Sequence, residues 1–174
     1  MQNSVIRTTY EKSIVMNDVQ SLLNHLYDTE KVTALQLLKE HVGEFSYEYL
    51  TNSLASKGIT YININPISIK TYLEDIQHEL ANLNEVRMTL AISPDDELLN
   101  NIHQWLLKNV APNVIINLRI DRSILGGAIV SINGHYHNGS INKKLATYFS
   151  NKRDSLNEHR KIEELFIPKE ITDE

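Results

Sequence analysis

Residues 121 to 141 read DRSILGGAIVSINGHYHNGSI, and how this stretch is read decides the fold. Asp121 and Ser123 precede an aliphatic pair, Ile124 and Leu125, and then Gly126 and Gly127. A phosphate cradle would need glycines feeding backbone amides into a helix N-terminus, with a lysine and a hydroxyl beside them. Here the pair runs into Ala-Ile-Val-Ser-Ile, a strand, so a bend or bulge is the natural use of both glycines. Asn133-Gly134 is a two-residue hairpin signal leading into HYH. After Asn138 and Gly139, Ser140 caps a last helix bearing Leu145, Tyr148 and Phe149.

The pattern extends upstream. NVIINLRID, from Asn113, is a strand in which Ile116, Leu118 and Ile120 share one side. SPDD, from Ser93, reads as a helix start: Ser93 caps, Pro94 takes the first helical position, and Asp95 and Asp96 suit the positive end of the dipole. Leu98, Leu99, Ile102, Trp105 and Leu106 then supply that helix's buried face. Before it, Val86, Met88, Leu90 and Ile92 alternate with Glu85, Arg87, Thr89 and Ala91, the period of a half-buried strand. Residues 84–149 are therefore strand, helix, strand, strand, short strand and helix, a small α+β domain with a β-hairpin and flanking helices.

The first third is helical. Asn17 with Gln20 reads as a capping pair for a helix carrying Val19, Leu22, Leu23 and Leu26. A second helix after Thr29 buries Val32, Leu35, Leu38 and Val42 and stops at Gly43. A third, from Phe45 to Lys57, carries Leu50 and Leu54 and ends at Gly58. GITYININP, from Gly58, is a short strand or extended linker. A fourth helix opens at Ser68, runs to about Leu83 and places Ile69, Tyr72, Leu73, Ile76 and Leu80 on one face. The organisation expected is a helical N-terminal region over 1–60, an α+β domain over 61–149 and a charged tail over 150–174. That tail holds one apolar island, Leu165, Phe166 and Ile167.

Composition narrows the function classes. A chain of 174 residues that is 41% hydrophobic and 22% charged can bury a sizeable core. With 22 acidic and 17 basic residues the net charge is -5, which gives no global attraction for nucleic acid. Cysteine is absent, which removes disulfides, thiolate nucleophiles and cysteine-ligated zinc and suits a reducing compartment. The N-terminus lacks the pattern of a signal or transit peptide, and no run reaches the roughly 18 apolar residues of a membrane span. Cytoplasmic exposure is expected, with membrane association only through a partner.

Candidate chemistry resolves into structure. His135 and His137, two apart in a strand, could face one side and share a metal, but no carboxylate or third histidine accompanies them. Asp95 and Asp96 are explained by their helix start. Ser123, Ser131 and Ser140 lie outside any strand-to-helix elbow of the nucleophile type. No catalytic constellation, cofactor site or metal site is expected, and Trp105 is expected in the core.

The segment DRSILGGAIVSINGHYHNGSINKKL resembles the C-terminal signature of the delta subunit of F-type ATP synthases, whose mitochondrial counterpart is the oligomycin sensitivity conferring protein. Asp121, Ser123, Ile124, Leu125, Gly126, Gly127, Gly139, Ser140 and Leu145 match that signature in order, and VRMTLAISPDDELLNNIHQWLLKN, from Val86, is similar to the strand and helix before it. Asn138 stands where the family usually has aspartate and Arg122 where it often has proline. The family's six-helix N-terminal bundle is not visible in residues 1–83, which offer about four helices.

The resemblance implies a non-catalytic stator of the peripheral stalk. Its N-terminal region would grip the N-terminal segments of the α subunits, and its C-terminal domain would hold the b subunits. It would sit peripherally on the cytoplasmic face of an energy-transducing membrane, most naturally the bacterial cell membrane, and resist torque in a proton-translocating enzyme. Leu98, Ile102, Trp105, Tyr148 and Phe149 would form the stalk interface. The alternative is an adaptor that keeps only the C-terminal fold and binds an unrelated partner.

Overall fold

A computed structural model describes residues 5–26, 34–58 and 66–165. It is α+β: a helical N-terminal region leads into a four-stranded sheet with flanking helices. The chain divides into two compact units, one comprising residues up to Met88 together with Pro94–Leu118, the other Thr89–Ser93 together with Arg119 onward. The expected burial of Val32 and Leu35, the GITYININP segment and the island at 165–167 lie outside the described residues and side chains.

In the first unit, α1 spans Thr9–His25, α2 Ala34–His41, α3 Glu44–Ser56 and α4 Pro66–Ala81. Helix α1 opens well before Asn17, correcting the sequence expectation, because Thr8 and Glu11 form a complete capping box. The Thr8 hydroxyl accepts from the Glu11 N–H at 3.1 Å, and the Glu11 carboxylate accepts from the Thr8 N–H at 3.0 Å. Val15, Val19 and Leu22 then fall on one face and pack with Leu50 and Leu54 of α3 and Leu73, Ile76 and Leu80 of α4. Each such side chain contributes roughly 1.5–3 kcal/mol on burial. Tyr72 joins the same core and donates its hydroxyl to the Leu50 carbonyl at 2.9 Å, so its polar end is satisfied.

Strand β1, Asn84–Leu90, keeps the expected alternation through Val86, Met88 and Leu90, all buried, but it ends there: Ala91 is buried and Ile92 exposed, which corrects their expected places. Helix α5 spans Asp96–Asn109, and its cap is Asp95 rather than Ser93: the Asp95 carboxylate accepts from the Leu98 N–H at 2.8 Å. A charged acceptor at the positive end of the helix dipole outcompetes the serine, leaving Pro94 outside the helix. Strand β2, Val114–Ile120, does not bury Ile116, Leu118 and Ile120 together. Val114, Ile115 and Ile116 are buried in succession, while Ile120 is exposed. Both faces are covered at its start, where Ile115 enters the helical core and Thr8 bridges in parallel to Ile116.

The second unit holds a 3-10 turn at Arg122–Ile124, strand β3 at Ala128–Ile132, strand β4 at His135–Asn138 and helix α6 at Ile141–Leu165. The sheet order is β2-β1-β3-β4. Strands β3 and β4 pair antiparallel with Ile132 opposite His135, so Asn133 and Gly134 form the whole connection. Their φ values of 49° and 81° give the left-handed turn that matches strand twist. Helix α6 runs beyond the expected end near Phe149, through a stretch rich in helix-favouring Lys, Arg, Glu and Leu.

Candidate docking surface

The motif residues build one framework. Asp121 Oδ1 accepts from both the N–H and the hydroxyl of Ser123, at 2.9 and 2.6 Å. Asn138 Oδ1 does the same for Ser140, at 3.0 and 2.6 Å. Two Asx turns of matching geometry thus open the 3-10 turn and α6. Asn138 makes this turn with an amide oxygen and so without a charge. The Ser123 hydrogen bonds hold the Asp121 carboxyl below its ordinary range, its hydroxyl contributing most. Ser140 is nearly fully buried, and its Oγ also accepts from the Lys143 N–H at 3.3 Å, so it caps α6 as expected.

The glycines bring these turns together. Leu125 ends the 3-10 turn at φ 61°, and Gly127 follows at φ 76°, a region that favours glycine. The Gly139 N–H donates to the Ala128 carbonyl at 2.9 Å, and the Ile141 N–H to the Gly126 carbonyl at 3.0 Å. A Cβ on Gly127 would stand 2.5 Å from the Gly139 carbonyl oxygen. The stretch is a turn framework that seats the first turn of α6 against the entrance to β3.

That framework presents apolar side chains. Ile124 is buried beneath it, whereas Leu125, Ile141, Leu145, Tyr148 and Phe149 are exposed. Residues 141, 145, 148 and 149 lie on one side of α6, and the Tyr148 and Phe149 rings meet edge to face at 5.6 Å.

In the other unit, α5 carries two neighbouring stripes. Leu99, His103 and Leu106 turn inward, with His103 and Leu106 each 1% exposed. Leu98, Ile102 and Trp105 lie roughly 100° round the helix, and Trp105 is 60% exposed, which corrects its expected place in the core. The structure therefore distributes the five expected interface residues over two helices, three on α5 and two on α6, each set described within its own unit.

His103 escaped the sequence reading. Its Nε2 lies 3.0 Å from the Val114 carbonyl oxygen, which makes it a donor, and its buried Nδ1 has no hydrogen-bond partner among the described residues. The only available signal was its spacing of four from Leu99 and three from Leu106.

His135 and His137 occupy exposed positions on β4, and no group of three or more potential metal-ligating side chains occurs among the described residues. Among those residues, no helix is long and apolar enough to cross a membrane.

Comparison with known proteins resolves the family. The family described as ATP synthase delta (OSCP) subunit matches residues 61–151, a span that ends within α6. The chain belongs to the ATP synthase delta (OSCP) subunit family. The chain is also similar to a protein named ATP synthase subunit delta from Brevibacillus brevis (strain 47 / JCM 6285 / NBRC 100599). The two are 25% identical over 138 residues, covering 75% of this chain and 74% of that relative. A protein of the same name from Syntrophomonas wolfei subsp. wolfei (strain DSM 2245B / Goettingen) is 23% identical over 116 residues, covering 67% of this chain and 62% of its own length. Within the delta (OSCP) match fall both Asx turns, the glycine contact, α5 and the first turns of α6.

Proposed function

We propose that this protein is a non-catalytic stator subunit of a proton-translocating F-type ATP synthase, linking the α subunits of the catalytic head to the b subunits of the peripheral stalk. The observation that carries the reading is the α6 stripe, Ile141, Leu145, Tyr148 and Phe149, exposed on a hairpin framework that belongs to this family. Exposed aromatic and aliphatic anchors at helical spacing suit a partner helix laid in a groove or along a face. Leu98, Ile102 and Trp105 of α5 are a second docking face.

In this reading residues 61–149 form the stalk-binding module, residues 1–60 the analogue of the region that meets the α subunits, and residues 150–174 a charged extension. The subunit sits peripherally on the cytoplasmic face of its membrane through the complex. Affinity isolation of the tagged protein from its native membranes tests this. Stoichiometric recovery of α, β and b subunits is the expected result. Recovery of an unrelated partner without the synthase would transfer the molecule to the alternative, an adaptor that kept the C-terminal fold.

A further inference from the structure

We propose that Asn133 is a site of spontaneous deamidation, converted by water to a mixture of aspartate and isoaspartate, while Asn138 is locked against the same reaction. The reaction needs no partner, so it is independent of what the subunit docks on. Asparagine is among the thermolabile residues, and its lability depends on the residue that follows. The next backbone nitrogen has to reach the side-chain carbonyl carbon, and a glycine permits this because it has no Cβ to obstruct the approach. The chain contains two Asn-Gly pairs, 133–134 just before β4 and 138–139 at its end.

The step balances with water as the sole co-reactant. The Gly134 nitrogen gives up its proton to solvent base and attacks Asn133 Cγ. The new N–Cγ bond forms, the Cγ–Nδ2 bond breaks, and Nδ2 takes up a proton and leaves as ammonia. Water then opens the cyclic imide. Opening at Cγ gives aspartate, and opening at the main-chain carbonyl gives isoaspartate, which adds a methylene to the backbone.

The fold separates the two pairs. Asn133 and Gly134 are exposed at the hairpin tip, and among the described residues neither the Asn133 side chain nor the Gly134 N–H has a hydrogen-bond partner. A Cβ at Gly134 would meet nothing within 4 Å, so water and base have open access. The closed turn holds Asn133 at φ 49°, and the turn has to open for the nitrogen to reach Cγ. Its strands are joined there by two residues, and β4 is the short edge strand of the sheet, so the tip opens more readily than the sheet behind it.

Asn138 differs on each count. Its Oδ1 accepts from the Ser140 N–H and hydroxyl at 3.0 and 2.6 Å, which fixes the carboxamide. The Gly139 N–H, the group that would have to lose its proton, donates to the Ala128 carbonyl at 2.9 Å. A Cβ at Gly139 would stand 3.2 Å from that same oxygen, so the base of the hairpin is closely packed, and Ser140 beyond it is buried. Reaction at 138 has to break these bonds and part the hairpin at its base, whereas reaction at 133 disturbs the tip.

The test incubates the folded full chain at mildly alkaline pH and follows both sites by peptide mapping with mass spectrometry. Isoaspartate is counted by enzymatic methylation of its free carboxyl. Conversion at 133 should run at least about tenfold faster than at 138, the smallest factor expected when several hydrogen bonds must break first. In denaturing urea the two pairs should convert at similar rates, because the fold no longer distinguishes them. The converted chain should be one unit more negative than the present -5. It should lose hydrogen-exchange protection at the His135 amide, opposite Ile132, and keep it at the Gly139 amide.

Equal rates at the two sites of the folded chain, faster conversion at 138, or no conversion at 133 overturns the proposal. So does a rate difference that persists in urea, which would trace it to local sequence and not to the fold. Loss of protection at Gly139 along with His135 would overturn the confinement of the change to the tip.

Discussion

Gly127 and Gly139 approach so closely that a Cβ on Gly127 would stand 2.5 Å from the Gly139 carbonyl oxygen and 3.3 Å from Ser140 Cα. Both neighbours are backbone and cannot swing aside. The contact joins the two ends of the β3–β4 hairpin and sets where α6 begins, so it positions the α6 stripe.

Gly127→Ala should therefore cost about 3 kcal/mol or more, combining positive-φ strain with a backbone clash. Gly134→Ala is the control: its φ is also positive, but a Cβ there meets nothing within 4 Å, so about 1 kcal/mol is expected. Urea unfolding of the two variants checks the difference. Equal destabilisation would show that close approach adds nothing beyond the dihedral.

The paired Asx turns predict a difference in acid. Asp121 has its folded-state pKa lowered, so its turn contributes stability that is present above the unfolded value of about 3.9 and is lost as pH falls through the lower folded value. Asn138 carries no titrating group. In an NMR titration below pH 4, the Ser123 amide should shift while the Ser140 amide holds. Asp121→Asn should flatten the Ser123 profile and keep the fold.

How much of this is legible in the sequence depends on which signals are local. The Asn133-Gly134 turn, the alternation through Val86, Met88 and Leu90, and the cap at Ser140 each follow from a few adjacent residues, and each stands as read. Trp105 shows the limit. On α5 the stripe of Leu98, Ile102 and Trp105 lies beside that of Leu99, His103 and Leu106, and spacing alone cannot say which faces inward. The stripe interrupted by histidine is the buried one, because the Val114 carbonyl meets Nε2. The start of α1 was missed for another reason: Thr8 and Glu11 precede any clear apolar period, so capping chemistry was the only evidence. The end of α6 lies beyond its last exposed aromatic, where helix propensity and not periodicity carries the chain onward.

His103 makes that buried stripe testable. His103→Ala removes a fully buried ring and leaves the Val114 carbonyl without its donor, so a loss of about 2–4 kcal/mol is expected in urea unfolding. A loss below about 1 kcal/mol would mean that the site collapses without the imidazole.

Ser46 offers the opposite case. It is completely buried in α3, and its hydroxyl has no hydrogen-bond partner among the described residues. Ser46→Ala should leave stability unchanged or raise it by about 1 kcal/mol, since an unsatisfied hydroxyl is removed and alanine favours the helix. A clear destabilisation in thermal unfolding would reveal a bond that this geometry does not contain.

Glu11 should matter more than Thr8, although both belong to one capping box. Among the described residues the Thr8 side chain accepts a single bond, from the Glu11 N–H. The Glu11 carboxylate accepts from the Thr8 N–H at 3.0 Å, from the Arg7 N–H at 2.7 Å and from the Arg7 guanidinium at 2.9 Å. That guanidinium also reaches Asp96 at 2.8 Å in the first turn of α5, and the Arg7 carbonyl accepts from the Ile116 N–H at 2.8 Å on β2. One carboxylate thus orders the segment that covers the start of an edge strand. Thr8→Ala should cost about 1 kcal/mol, the usual value of a lost cap. Glu11→Ala should cost about 2 kcal/mol or more, because several charge-assisted bonds go together. Hydrogen exchange separates the two further: the Ile116 amide should lose protection in Glu11→Ala and keep most of it in Thr8→Ala. Equal exchange in the two variants would reduce the role of Glu11 to capping alone.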